Sequence, residues 1–122
     1  MDAYRSALLT DFYQLTMLRA YQTHGMRETA VFEVFVRRMP RERNFRIAAG
    51  LEQALAYLEN IDFTAEELDW IRGEPRLGAE LAQYLAGLRF SGDVHAMPEG
   101  RVFFAQEPIL RVTAPLSEAQ LV

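Results

Sequence analysis

The sequence predicts a single domain of the α+β class. Helical periodicity dominates residues 11–24 and 51–88, whereas alternating β-branched and aromatic residues mark 30–36 and three short runs within 93–113. No internal repeat or low-complexity linker divides the 122 residues. Because helices and strands occupy largely separate stretches of the chain, we expect helices packed against a small antiparallel sheet.

The first predicted helix covers residues 11–24, which contain good helix formers and no Pro or Gly. Thr10 is placed to cap its N-terminus, and Gly25 is placed to end it. Tyr13 and Tyr21 lie eight residues apart and therefore share a helix face. The pattern leaves little fully polar surface, so we expect this helix to be largely covered, by its own domain or by a partner.

A strand is predicted at residues 30–36, AVFEVFV, which should be buried on at least one face. A polar connection containing Pro40 follows, and a helix begins near Leu51. Thr64 and Glu67 have the spacing of a capping box and open a short helix that ends near Gly73.

Residues 77–88 again have helical spacing, and the period then changes to that of strands. Residues 93–97, 101–104 and 108–112 are short apolar runs separated by turn residues, and we expect them to form an antiparallel meander. A final helix should begin after Pro115, and its pattern is unfinished at the last residue of the sequence, as in a truncated chain.

Composition excludes several classes of function. Seventeen acidic and thirteen basic residues leave a net charge of −4, so the chain has no general attraction for nucleic acid or an anionic membrane. The absence of Cys excludes disulfides and thiolate catalysis, and His24 and His95 are too few for a histidine-rich metal site. The start of the chain does not resemble a signal peptide, and no apolar stretch reaches about 18 residues, so we expect a cytoplasmic protein.

Five arginines lie within ten residues after the first strand: Arg37, Arg38, Arg41, Arg43 and Arg46. A guanidinium group suits phosphate because it can donate two parallel hydrogen bonds. All thirteen basic residues are Arg, however, which a compositional bias also produces. Phosphate contact and a solvated or ion-paired face are therefore both open interpretations of this cluster.

The most suggestive pair is Asp11 and Tyr13 at the start of the first helix. Together they offer a carboxylate acceptor and an aromatic face, which suit a flat heteroaromatic ligand. From the residues alone, a capping Asp and a core Tyr remain the favoured interpretation. The common catalytic signatures, such as GxGxxG, GxSxG, HExxH and CxxC, do not occur, so no catalytic residue and no metal ligand is predicted.

Four segments taken together resemble nicotinate phosphoribosyltransferases in order and spacing: LLTDFYQLTM, AVFEVFVRRMP, NFRIAAGLEQALAYL and GDVHAMPEGRVFFAQEPILRVTAPLSEAQL. The resemblance implies that residues 1–122 are the N-terminal α+β domain of a type II phosphoribosyltransferase. They would end where the α/β barrel that binds phosphoribosyl pyrophosphate begins. The barrel would be missing from this chain, which alone should be inactive.

The resemblance also implies roles for individual residues. In related enzymes the Asp and Tyr of the TDxY motif enter the active site of the partner in a homodimer, where the Tyr stacks on the pyridine ring. By position these substrate-binding residues are Asp11 and Tyr13. Arg37 or Arg38 would contact phosphate groups near the subunit interface. The Pro98-Glu99-Gly100 loop and the Glu107-Pro108 turn are expected to be structural.

The activity implied by the resemblance is phosphoribosyl transfer from phosphoribosyl pyrophosphate to nicotinate, coupled to ATP hydrolysis, in NAD salvage. Mg²⁺ and ATP are implied as cofactors of the complete enzyme, and this chain alone would bind neither. One alternative is transfer to nicotinamide or quinolinate, since sibling families share the fold. Another is a non-catalytic fragment, or a subunit of a split enzyme, that acts by association.

Overall fold

A computed structural model describes residues 6–122. The helices in this range are α1 (Phe12–Thr23), α2 (Leu51–Glu59), α3 (Ala65–Gly73), α4 (Gly78–Ala86) and α5 (Leu116–Ala119). The strands are β1 (Thr29–Val34), β2 (Arg46–Ile47), β3 (Asp93–Ala96), β4 (Val102–Phe103) and β5 (Leu110–Pro115). The predicted α+β class, with helices and small antiparallel sheets, is confirmed. The prediction that the chain lacks a signal peptide rests partly on residues 1–5, which lie outside the described residues.

The strands form two sheets and not the expected meander. The main sheet has the order β1-β5-β3 with both pairs antiparallel, so that β5 is central. Strand β4 instead pairs with β2, a two-residue strand that the sequence analysis did not predict. Two further hydrogen bonds hold β4 beside β2. The amide of Ala48 donates to the carbonyl of Arg101 at 2.8 Å, and the amide of Gly100 donates to the carbonyl of Ala48 at 2.8 Å.

The two faces of the main sheet differ in character. On the inner face Phe32 and Val94 both lie opposite Val112, which is fully buried. At the adjacent position of each strand, on the outer face, Glu33 and His95 both lie opposite Arg111. Arg111 forms an ion pair with Glu33. Because side chains alternate across a strand, the inner face joins the core while the outer face carries charge.

The larger core lies among α1, α3 and α4. Its fully buried members include Leu18, Ile71, Leu81 and Leu85. Burying each such side chain contributes about 1.5–3 kcal/mol relative to leaving it exposed. Phe90 packs against both this cluster and the smaller core beneath the sheet, so it connects the helical and sheet layers.

The predicted helix boundaries are largely correct. Thr64 and Glu67 form the complete capping box of α3: the Glu67 amide donates to Thr64 Oγ1 at 3.2 Å, and the Thr64 amide donates to Glu67 Oε2 at 2.7 Å. Gly25 follows α1 with a φ of 65°, as its role in helix termination requires. The prediction for Thr10 was wrong, because the extended backbone of Asp11 makes Asp11 the N-cap residue.

Within the described range, no helix combines the length and apolar character needed to cross a membrane.

Candidate functional site

Helix α1 places Asp11 and Tyr13 at its start, but neither has the structural role that the residues alone favoured. Asp11 occupies the N-cap position, yet its side chain makes no capping hydrogen bond. The Tyr13 side chain is 57% exposed, whereas Leu15 and Leu18 carry the buried face of the helix. The interpretation of Tyr13 as a core residue is therefore wrong, and Asp11 is the N-cap residue by its position but without a side-chain capping bond. Both are available on the surface of this chain.

Asp11 lines a cleft of about 620 Å³ at the N-terminal end of α1. Thr10, Gln14 and Tyr57 also line this cleft, together with the end of the chain at Leu121 and Val122. Tyr13 does not line it and lies on the open surface of α1. The structure thus brings the two residues to one helix end without placing them in one pocket of this chain.

A second cleft, of about 430 Å³, adjoins the first, because Tyr57 and Val122 line both. Its walls are mainly apolar and come from β1, β2, β4, β5, α2 and the turn after β3. They include Val34, Ile47, Leu51, Leu58, Phe103 and Leu110. Such a surface suits a flat or apolar group more than a highly charged one. Arg46 and Glu99 provide its charged rim.

Tyr57 lies between the two clefts, and the sequence analysis did not identify it. Burial raises the pKa of its phenol, and the nearby Glu67 carboxylate raises the pKa further. The phenol therefore stays neutral, and its hydroxyl donates to the carbonyl of Leu121 at 3.4 Å. The only sequence signal for Tyr57 was its place in a helical repeat, which does not distinguish a cleft residue from a core residue.

Glu67, whose carboxylate raises the pKa of Tyr57, links the N-terminal segment to α3 through hydrogen bonds. Burial of its carboxyl raises the pKa, but hydrogen bonds from the Ser6 hydroxyl and from Thr64 outweigh burial and hold the pKa below its ordinary value. The Leu8 amide in turn donates to Ser6 Oγ at 3.1 Å. This network fixes the segment that leads into Asp11.

Arg37 and Arg38 lie on the exposed segment that follows β1, and this segment is distant from α1 along the sequence. The turn before β5 holds this segment in place. The Gln106 amide donates to the Val36 carbonyl at 2.9 Å, and Gln106 Nε2 donates to the Arg37 carbonyl at 2.7 Å. The main chain at Val36 and Arg37 is therefore anchored, while Arg37 and Arg38 are both exposed.

The two histidines lie elsewhere. His24 is the exposed C-cap residue of α1, and His95 is exposed in β3. Among residues 6–122, no group of three or more His, Asp or Glu side chains is arranged to hold a metal ion.

The chain matches a protein-family model along most of its length. Residues 8–122 match the model described as the nicotinate phosphoribosyltransferase (NAPRTase) N-terminal domain. The chain belongs to this family. The resemblance carried by the TDxY, RRMP, AAGL and PEG segments is thus confirmed.

Named relatives agree with this assignment to the nicotinate phosphoribosyltransferase family. Nicotinate phosphoribosyltransferase pncB2 of Mycobacterium tuberculosis is 46% identical over 116 residues, which are 95% of this chain and 25% of that protein. The Bacillus subtilis nicotinate phosphoribosyltransferase is 44% identical over 117 residues, which are 95% of this chain and 24% of that protein. The chain therefore spans about a quarter of the length of these relatives.

Solved structures show the same fold. The crystal structure of human nicotinic acid phosphoribosyltransferase superposes with a TM-score of 0.79 and 33% identity, covering 93% of this chain and 23% of the human chain. A nicotinate phosphoribosyltransferase from Porphyromonas gingivalis gives a TM-score of 0.66 at 22% identity, covering 96% of this chain and 29% of that chain, which shows the fold alone.

Two segments that carry the likeness to nicotinate phosphoribosyltransferases meet at the start of α2. The Glu99 carboxylate of the PEG loop accepts hydrogen bonds from the amides of Gly50 at 2.8 Å and Leu51 at 2.7 Å. Gly50 and Gly100 have φ values of 94° and 83°, which favour glycine. The PEG loop therefore has a structural role, since its acidic residue caps a distant helix.

Proposed function

We propose that this domain is part of a nicotinate phosphoribosyltransferase, which transfers the phosphoribosyl group of phosphoribosyl pyrophosphate to the ring nitrogen of nicotinate and forms nicotinate mononucleotide. The observation that carries the proposal is the family match over residues 8–122. Coupled ATP hydrolysis and a place in NAD salvage are part of the same proposal. So is a cytoplasmic location, since the phosphorylated donor and ATP are charged metabolites of the cell interior.

The role proposed for Asp11 and Tyr13 is to complete the nicotinate site of a partner subunit in a homodimer. An exposed aromatic ring at the start of a helix can be covered by a second chain. Leu9 and Met17 are exposed as well, and Met17 lies one helical turn from Tyr13, so the ring belongs to an apolar strip. Stacking of Tyr13 on the pyridine ring would contribute about 0.5–1.5 kcal/mol beyond area burial.

Arg37 or Arg38 is proposed to contact phosphate groups of the donor. Both are exposed, and both follow a strand whose exit is anchored by the turn at Gln106. Guanidinium groups held near the dimer interface would neutralise the pyrophosphate charge that develops as the glycosidic bond breaks.

Mg²⁺ and ATP are assigned to the complete enzyme and not to this domain. The described residues do not form a cluster that fits a metal ion. Magnesium would neutralise pyrophosphate charge on the donor, as it does in other phosphate-transfer sites. No step of the proposal depends on a metal ligand within residues 6–122.

A second candidate function is association without catalysis, as a fragment or a subunit of a split enzyme. The observation that favours it is an apolar face on the β2-β4 ribbon, where four large side chains are about half exposed: Phe45, Ile47, Val102 and Phe104. Such a contiguous patch is typical of a surface that contacts another chain. A catalytic domain also has to contact another part of the enzyme, so the patch fits both candidate functions. An activity measurement is needed to distinguish them.

The experiment is to purify the native gene product under mild conditions, determine the intact mass of every copurifying chain, and assay mononucleotide formation. Nicotinate, nicotinamide and quinolinate should be compared, each with phosphoribosyl pyrophosphate, Mg²⁺ and ATP. We expect product from nicotinate only, stimulated by ATP. Transfer to another base would support a sibling specificity. If the purified gene product transfers the phosphoribosyl group to none of the three bases, the non-catalytic associating subunit is supported instead.

A further inference from the structure

Gln106 has an uncommon backbone conformation. Its φ is 68°, and it is the one residue other than glycine with a positive φ in the part of the chain that the structure describes, residues 6–122. L side chains rarely adopt this region, and a bare turn would be served better by glycine. The presence of a long amide side chain at this position suggests that the side chain itself has a task.

That side chain is directed at the segment carrying Arg37. The Gln106 backbone amide donates to the Val36 carbonyl at 2.9 Å, and its side-chain Nε2 donates to the next carbonyl, that of Arg37, at 2.7 Å. A little further along, the Ile109 amide donates to the Val34 carbonyl at 2.9 Å. The bond to Val34 holds the last residue of β1, and the two bonds from Gln106 extend the attachment beyond the end of the strand.

The turn does not need the Gln106 side chain for its own closure. Glu107 closes it, because Glu107 Oε2 accepts from the Phe104 amide at 2.7 Å and the Glu107 amide donates back to the Phe104 carbonyl at 3.4 Å. The bond from Gln106 to Arg37 is thus separate from turn formation. It acts on a neighbouring segment that is distant in sequence.

We propose that Gln106 is a positioning residue for the phosphate-contacting arginines. By holding the Arg37 carbonyl, it fixes the main chain from which the side chains of Arg37 and Arg38 extend. Anchoring the backbone lowers the entropy that these exposed side chains lose when they bind a phosphate group. The proposal rests on the proposed function, namely that Arg37 or Arg38 contacts the donor.

Gln106→Gly in the native gene product tests this directly. Glycine adopts a φ of 68° without strain and keeps the backbone bond to Val36, so only the side-chain bond to Arg37 is lost. We expect lower backbone NMR order parameters at residues 37–39 and a rise of about 2- to 10-fold in the KM for phosphoribosyl pyrophosphate. The KM for nicotinate should not change.

Gln22→Ala is the matched control. It removes a bond of the same kind, from Gln22 Nε2 to the Glu80 carbonyl at 3.0 Å, between α1 and α4. Loss of one such bond there should leave both KM values and the order parameters at residues 37–39 unchanged. A rise in donor KM in this control would mean that general loosening, and not positioning, explains the Gln106 result.

Arg37→Ala and Arg38→Ala separate failure of this inference from failure of the proposed function. If either raises the donor KM while Gln106→Gly does not, the positioning role is overturned and the phosphate role stands. If neither arginine variant matters, the phosphate role fails, and Gln106 only orders a loop. If the order parameters at residues 37–39 are unchanged in Gln106→Gly, the positioning role is overturned whatever the arginines do.

Discussion

The Glu99 carboxylate lies 2.7 Å from the amide nitrogen of Leu51 and caps α2 from a loop nearly fifty residues away in the chain. The same oxygen accepts from Gly50 and, at 3.4 Å, from Glu52. A negative charge at this position satisfies orphan amides and complements the positive end of the helix dipole. The contact couples the β2-β4 ribbon to the helix that forms one wall of the apolar cleft.

Glu99→Ala should therefore destabilise the protein by about 1–2 kcal/mol, which is the usual cost of losing a charged helix cap. The measurement is the free energy of unfolding from urea denaturation. Glu59→Ala is the control, because it removes an acid from the last turn of the same helix, where a negative charge does not help. Equal losses in the two variants would show that the cap contributes nothing specific.

Gly92 allows β3 to approach β5 closely. A Cβ added there would overlap the Cβ of Ala114 and lie 2.5 Å from the carbonyl oxygen of Thr113. Gly92→Ala should force the strands apart and cost about 1–3 kcal/mol.

Gly87→Ala is the comparison for that variant. The nearest atom to its added Cβ is the Tyr84 carbonyl oxygen at 4.0 Å, an ordinary contact. Thermal unfolding should show a lowered midpoint for Gly92→Ala and little change for Gly87→Ala. An unchanged midpoint in both would contradict the close approach of the two strands.

Glu67 predicts a specific acid sensitivity. Folding lowers its pKa from the ordinary value of 4.5, so its stabilising contribution is complete above that pH and is lost as the pH falls through the lower folded value. Glu67→Gln can keep the capping-box geometry but removes the titrating group. Its stability should fall less steeply than that of the wild type below pH 4.5.

Urea denaturation at a series of pH values measures this slope, and Glu66→Gln, on the same helix turn, provides the comparison. Glu66→Gln leaves the hydrogen bonds of Glu67 in place, so its slope should stay steeper than that of Glu67→Gln. Parallel pH profiles for the wild type and Glu67→Gln would refute the role given to the Ser6-Glu67-Thr64 network.

Local chemistry in the sequence predicted some features fully and others not at all. The capping box at Thr64 and the helix stop at Gly25 depend on residues close in the chain, and both were predicted. Strand β2 has two residues and hence no periodicity of its own; it forms because Ala48 bonds to the chain at Arg101. The order β1-β5-β3 likewise depends on long-range pairing that alternation cannot reveal.

The residues of the candidate site also differ in whether the sequence alone points to them. The TDxY motif predicts that Asp11 and Tyr13 bind substrate, and this stays a prediction, whereas the residues alone favoured a cap and a core side chain. Tyr57 and Gln106 were missed, because their significance comes from what the folded chain brings next to them.

The most direct test of the central claim is the KM for nicotinate in Tyr13→Ala, measured beside Tyr13→Phe in the native gene product. The exposed ring should be dispensable for folding, so unfolding midpoints should match the wild type. We predict a rise of roughly tenfold in the nicotinate KM for Tyr13→Ala, little change for Tyr13→Phe, and an unchanged KM for phosphoribosyl pyrophosphate. A normal nicotinate KM in folded Tyr13→Ala would contradict the claim that this domain supplies an aromatic wall of the nicotinate site.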